Sequence, residues 1–167
     1  MNNEEELDKT WFVDLDGTVL IHRTNNEIDN FINVYGEESH LREEPLVDRI
    51  RFFRNLPKGD SIIITTARLN HQREHTIRTL NHWKMPYNDL IFNISSGPRF
   101  VVNDIKPPLT AGNKFNLDTA YALNVLRDNI YPDGPDIEYS YRILQSKIKN
   151  QVSGTAQEKQ LIQELVR

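Results

Sequence analysis

Cysteine is absent from the 167 residues of this chain, which excludes disulfides, thiolate nucleophiles, cysteine zinc sites and iron–sulfur clusters. Glycine and proline are few, at 7 and 8 residues, so neither a collagen-like nor a proline-rich architecture is present. Long apolar runs are missing: the longest span a few residues, far short of the roughly 20 needed for a membrane helix. Positive charge is not in surplus either. With 24 acidic against 20 basic side chains the net charge is -4, which counts against a dedicated duplex-DNA binder, whose affinity comes largely from neutralising phosphates. The first ten residues, MNNEEELDKT, carry neither the basic nor the apolar region of a secretory signal. The expectation is a soluble, cytoplasmic protein with no membrane partner.

What is there suits one ordinary globular domain. Hydrophobic residues make up 38% and charged residues 26%. Trp11-Phe12-Val13 is a short continuous apolar run ending at Asp14, as expected of a parallel strand covered on both faces. Val19 to Glu44 is polar and irregular and reads as a flap with one helical turn near Asp29–Val34. Pro45 suits the start of a helix, and Leu46, Ile50 and Phe53 follow on one face, widened by Val47 and Leu56. Ser61 to Thr66 is a β-branched strand. A helix is expected over Asn70 to Lys84, a third strand over Leu90–Ile94, a fourth over Phe100–Val102 and a further helix over Asp118–Asn129. Strands alternating with helices predict an α/β fold, a three-layer sandwich around a mainly parallel sheet. Residues 1–133 form the core on this reading, with 19–44 as flap. Residues 134–167 add a helical extension, in which Ile137, Tyr141, Leu144 and Ile148 share one face and Leu161, Ile162, Leu165 and Val166 mark a last short helix.

In such sheets the active crevice lies beyond the carboxyl ends of the strands. Asp14 and Asp16, Thr65 and Thr66, and Asn103 and Asp104 all fall at expected strand ends. Buried carboxylates need a partner, and for several that converge on one crevice a divalent cation serves them together. Oxygen-only donors favour magnesium, which takes one or two carboxylates plus water and substrate phosphate.

These residues carry a resemblance. Trp11-Phe12-Val13-Asp14-Leu15-Asp16-Gly17-Thr18-Val19 resembles the first motif of the haloacid dehalogenase superfamily, an apolar strand followed by DxDGT. Ile62-Ile63-Ile64-Thr65-Thr66-Ala67-Arg68 resembles its second motif, and Phe100-Val101-Val102-Asn103-Asp104 its fourth, an apolar strand ending in an acidic pair. The resemblance spans roughly residues 10 to 130 and implies a Rossmannoid, magnesium-dependent phosphatase. On that implication Asp14 attacks phosphorus and forms an aspartyl-phosphate, and Asp16 protonates the leaving oxygen and then activates water. Thr66 holds a phosphate oxygen, and Asp14, Asp16 (through its main-chain carbonyl) and Asp104 bind Mg2+. An Asp in the place of Asp16 marks the phosphatases among these relatives. Gly17, Thr18 and Arg68 would face the substrate. The family's usual lysine is missing from Ser95-Ser96-Gly97-Pro98-Arg99, and Lys106 is the preferred substitute, with Lys84 and Arg99 as rivals.

Other readings weigh against these. An EF-hand fails because Gly17 comes too early and Asn25 stands where Glu is required. An aspartic-protease motif would read Asp-Thr-Gly. Thr66 could simply cap the next helix. His71 and His75 have the spacing of a zinc helix, with His82 further along, yet all three fall opposite the stripe of Leu69, Ile77, Leu80 and Trp83 and are expected in solvent. So short an insert implies a minimal cap and an open site. The substrate would then be a sugar phosphate, a nucleotide or an exposed phosphate on something larger, with nucleic acid entering only as substrate. The C-terminal stripe is expected on the chain's own core, a homo-oligomer contact being the alternative. The rival from another class is a degenerate subunit of the same fold that binds or assembles without catalysis.

Overall fold

Three of the apolar runs form strands that pair side by side in a parallel sheet, ordered β1-β2-β3. The computed structural model describes residues 7–111, 113–130 and 136–153. Strand β1 is Thr10–Asp14, β2 is Ser61–Thr65 and β3 is Asp89–Ile91. The register pairs Trp11 with Ile62, Val13 with Ile64 and Asp14 with Thr65, and then Ile64 with Leu90. The fold is therefore α/β with a small open parallel sheet. Along β2 burial alternates, Ile62 and Ile64 being buried and Ile63 half-exposed, while Phe12 of β1 is 58% exposed. Period-two burial replaces the expected cover on both faces, because a pleated strand sends successive side chains to opposite sides.

Helix α1, Asn25–Tyr35, and a following 3-10 turn, Gly36–Arg42, occupy the insert after β1. Helix α2, Val47–Arg54, leads into β2, and a 3-10 turn at Asn70–Gln72 leads into α3, Arg73–His82. Helix α4 is Ile137–Ser153. No described helix is long and apolar enough to cross a membrane. Among the described residues the chain divides into two compact units: Asp8–Pro98 with the segment that starts at Val125, and Arg99–Asn124 with α4.

The insert departs furthest from expectation. It is an eleven-residue helix, not a flap with a single turn. Thr24 caps it, accepting from the Glu27 amide while the Glu27 carboxylate accepts from the Thr24 amide, which satisfies two donors left over at the helix start. Those hydrogen bonds from Thr24 also hold the Glu27 carboxyl below its ordinary value. Ile28 is fully buried, in one core with Leu15, Val19, Leu20, Ile50, Ile64 and Leu80. The insert's ends are stitched to each other, with the Ile21 amide donating to the Glu44 carbonyl at 2.9 Å and the Leu46 amide to Val19 at 2.8 Å.

The region after β3 departs in the opposite sense. Phe100–Val102 forms no strand, and Phe100 and Val102 are 90% and 95% exposed. An apolar triplet has no stability as a strand without a ladder partner. Asp118–Asn129 is not a helix apart from a 3-10 turn at Arg127–Asn129, inside which Asp128 takes a left-handed φ of 56°. Its unit is ordered differently: Lys106 and Leu117 exchange amide–carbonyl bonds at 2.9 Å, and buried Asn113 bonds the Pro107 carbonyl at 3.0 Å. In α4 the expected stripe is the more covered face, with Ile137 buried and Tyr139 and Ile143 exposed. The last short helix expected around Leu161–Val166 lies outside the described residues.

Candidate functional site

The chain leaves β1 at Asp14 and turns at once. Gly17 has φ +85°, a left-handed conformation that favours glycine. The Leu15 carbonyl accepts the amides of Thr18, Val19 and Leu20 at 2.9–3.2 Å, and the Gly17 amide donates to Leu20 at 2.7 Å. Leu15, Val19 and Leu20 are fully buried, so this loop is clamped from below by its own apolar residues. Above it the polar groups gather. The Thr18 hydroxyl donates to Asp14 Oδ2 at 3.1 Å. Asp14 sits beside Thr65 in the ladder, and Thr66 follows one residue on. Asp14, Asp16, Gly17, Thr18, Thr66 and Arg68 thus belong to one unit and surround the ends of β1 and β2.

Arg68 is the first correction within the site. Expected at the crevice rim and facing substrate, it is only 1% exposed. Its Nε and Nη2 donate to the two carboxylate oxygens of Asp16 at 2.9 and 2.6 Å, a fork-on-fork ion pair. Nη1 reaches Glu43 Oε1 at 2.7 Å and the Thr76 hydroxyl at 3.1 Å. Burial alone would lower the guanidinium's affinity for its proton, but the bonds and charges of Asp16 and Glu43 outweigh it and raise it.

His75 is the second correction. It does not face solvent: it is 5% exposed, with Nε2 at 2.8 Å from Glu43 Oε1 and Nδ1 at 2.8 Å from Ser39 Oγ. An Nε2–H donating to the carboxylate leaves Nδ1 to accept from the Ser39 hydroxyl. Burial pushes the Glu43 carboxyl up, but the hydrogen bond from His75 and the charge of Arg68 together hold it below its ordinary 4.5. The other oxygen, Glu43 Oε2, is buried without a hydrogen-bond partner. His71 instead bonds Asp29 at the surface at 2.7 Å and His82 is exposed, so the three histidines do not converge.

These buried groups lie on a face of α3 that composition hides. Gln72, His75, Thr76, Thr79 and Leu80 are buried, while Leu69 of the expected stripe is exposed and Ile77 and Trp83 are half-exposed. The spacing is helical, but four of the five residues are polar. They are tolerated because each has a partner: the Thr79 hydroxyl donates to the His75 carbonyl at 2.9 Å, and Gln72 Nε2 donates to Asp29 and to the Asn25 carbonyl at 2.8 and 3.0 Å. Residue types alone did not reveal Glu43, Ser39 or His75, since a paired Glu in a polar insert reads as solvated surface. A helical spacing of Gln, His and Thr was the usable signal.

Thr66 does not cap the following helical turn, whose N-cap is Leu69. Its hydroxyl accepts the Arg68 amide at 3.1 Å, and its side chain is buried. Lys84 lies at the end of α3 with a left-handed φ of 56°, and Arg99 begins the other unit. Asp104 and Lys106 also belong to that unit. There the Thr119 hydroxyl donates to the Asp104 carbonyl, and Lys106 is bridged to Leu117. Among the described residues no three His, Asp or Glu side chains cluster closely enough to share a metal ion. Both Asp16 carboxylate oxygens are taken by Arg68, leaving its main-chain carbonyl as the donor it can offer.

No family model and no curated protein matches the chain. A solved structure titled "Structure of Pnkp1/Rnl/Hen1 complex" aligns with 60% of this chain at 19% identity and a TM-score of 0.39, and the alignment spans 33% of that chain.

Proposed function

We propose that this chain is a magnesium-dependent phosphomonoester hydrolase of the haloacid dehalogenase type, its three-stranded sheet being part of a Rossmannoid three-layer sandwich. One observation carries the reading. Asp14 and Asp16 leave the carboxyl end of a parallel strand on a glycine-turned loop, with Asp14 in register with Thr65 and Thr66 next in the chain. That is where the crevice of an open α/β sheet lies. The Asp14 carboxylate attacks phosphorus, the bond to the leaving oxygen breaks, and that oxygen takes a proton from Asp16. Asp16 then accepts a proton from water, whose oxygen attacks phosphorus as the Asp14–phosphorus bond breaks, releasing inorganic phosphate and restoring Asp14. In the resting geometry Asp16 is a carboxylate with both oxygens held by Arg68, so one oxygen must leave the fork and take up a proton from solvent before it can protonate the leaving oxygen.

The Asp14 carboxylate and the Asp16 carbonyl are oxygen donors of the kind magnesium selects. The ion would mask negative charge between carboxylate and phosphate. The substrate of this reading is a phosphorylated small molecule or an exposed phosphate on a larger one, including a polynucleotide end.

The test is release of phosphate from an aryl phosphate with magnesium, expected to fall to background in Asp14→Asn. A second reading, a non-catalytic binding or assembly subunit, is favoured by the saturation of Asp16 by Arg68. Absence of turnover across a broad panel of phosphate esters would support it instead, whereas an unchanged rate in Asp14→Asn would exclude Asp14 as the nucleophile.

A further inference from the structure

The proposed reaction needs a cation to hold the phosphoryl group, and besides Lys106 a second candidate for that role lies at the aspartate loop. We infer that Arg127 fills it. The inference rests on the phosphatase reading for its chemistry but on separate geometry for its placement.

The segment around Arg127 is tied to the aspartate loop. The Asp128 amide donates to the Gly17 carbonyl at 2.9 Å, and Asp128 Oδ1 accepts the His22 amide at 2.6 Å. Buried Arg49 reaches the carbonyls of Gly17 and Thr18 at 2.9 and 3.1 Å and, with its other terminal nitrogen, the carbonyl of Leu126. Asp128 and Asn129 both adopt left-handed φ, 56° and 50°, so the chain turns sharply just past Arg127. Asp and Asn enter that region more readily than other non-glycine residues, yet two in succession persist only where the surroundings impose them.

The Arg127 side chain lies directly over Gly17. Its Cγ is 2.8 Å, and its Nε 3.6 Å, from where a Cβ on Gly17 would stand. Glycine here therefore answers two demands, the positive φ and the passage of this side chain. Three arginines meet the Asp14–Thr18 loop, and their employment differs. Arg68 is taken by two carboxylates and Arg49 by three carbonyls. Arg127 is exposed, and its guanidinium has no hydrogen bond or ion pair among the described residues. A pinned main chain carrying an unengaged guanidinium at the Asp14–Thr18 loop is suited to an incoming dianion, which the planar fork of Arg can bind through two bonds. Arg127 is thus the phosphate-binding cation that stands in for the missing lysine.

Two variants of the full chain test this: Arg127→Met, which keeps the aliphatic stem over Gly17 without the charge, and Arg127→Lys. Affinity for inorganic phosphate is measured by calorimetry with magnesium, and kcat/KM on an aryl phosphate in parallel, with the thermal midpoint as a control for folding. Arg127→Met is expected to weaken phosphate at least tenfold and to lower kcat/KM about 10²-fold, as loss of one preorganised donor does. Arg127→Lys should fall between it and the parent, with thermal midpoints unchanged. Phosphate affinity in Arg127→Met equal to the parent's overturns the inference. If the parent hydrolyses nothing, the phosphatase reading fails by itself. The Arg127 site then still stands if the parent binds phosphate and Arg127→Met does not, and falls if neither binds.

Discussion

The stretches that follow β1 and β3 met opposite fates. Val19 to Glu44 has the composition of a solvated loop, yet it holds an eleven-residue helix, a buried isoleucine and a buried glutamate. Phe100 to Asn129 contains apolar runs that pattern as a strand and a helix, yet it forms neither beyond one 3-10 turn and leaves Phe100 and Val102 in solvent. The difference is one of partners. The insert has its start satisfied by Thr24 and Glu27, its interior by the core, and its end by Arg68 and His75. Local hydrophobicity without such partners does not build a strand or a helix, because the entropy of fixing each residue must be offset by what it meets.

The largest expected effect breaks the insert's anchor. Arg68→Met leaves Asp16 and Glu43 without their shared cation, the Glu43 side chain being fully buried. Loss of one partner from such a buried pair costs about 3–5 kcal/mol, measurable by urea unfolding. If the insert were only a flap, the loss would be below about 1 kcal/mol. Next, Ile28→Ala should cost about 2–4 kcal/mol through the cavity it leaves in the core.

A finer test uses acid. The Glu43 carboxyl lies below its ordinary 4.5 in the folded chain, so the folded state binds this proton less readily than the unfolded one. Its contribution to stability is fully present above 4.5 and is lost as pH falls through the depressed folded value. The difference in stability between the parent and Glu43→Gln should therefore shrink as pH is lowered from 7 towards 3, and a constant difference would contradict the charged, bonded Glu43. Last and smallest, Val102→Ala should change stability by no more than about 0.5 kcal/mol, because its side chain is already in water. A loss comparable to that of Ile28→Ala would show that the region after β3 is anchored as firmly as the insert.

What could be read in advance divides along the same line. The β-branched run Ser61–Thr65 and the turn at Gly17 declare themselves because local chemistry determines them. Helix α1 was also legible in principle, through Thr24 and Glu27 at capping spacing, but Asn25, Asn26 and Asn30 obscured its apolar side. The polar face of α3 was not legible from residue types, since a buried His or Gln is recognisable only once its partner is known. Asp16 and Arg68 are separated by 52 positions, and nothing local announces that their charges meet. The same holds for Arg127 over Gly17, a contact made by the return of a distant segment.

The two tryptophans lie in different parts of the fold, one in β1 and one at the end of α3. The Trp11 indole donates to Asp60 Oδ2 at 2.8 Å, across the entry edges of β1 and β2, and the Trp83 indole donates to the Glu43 carbonyl at 3.2 Å, where the insert meets the end of α3. One fluorophore consequently senses whether the sheet has zipped, and the other whether the insert is seated. Emission from chains retaining a single indole would separate detachment of the insert from melting of the sheet, with no dye attached.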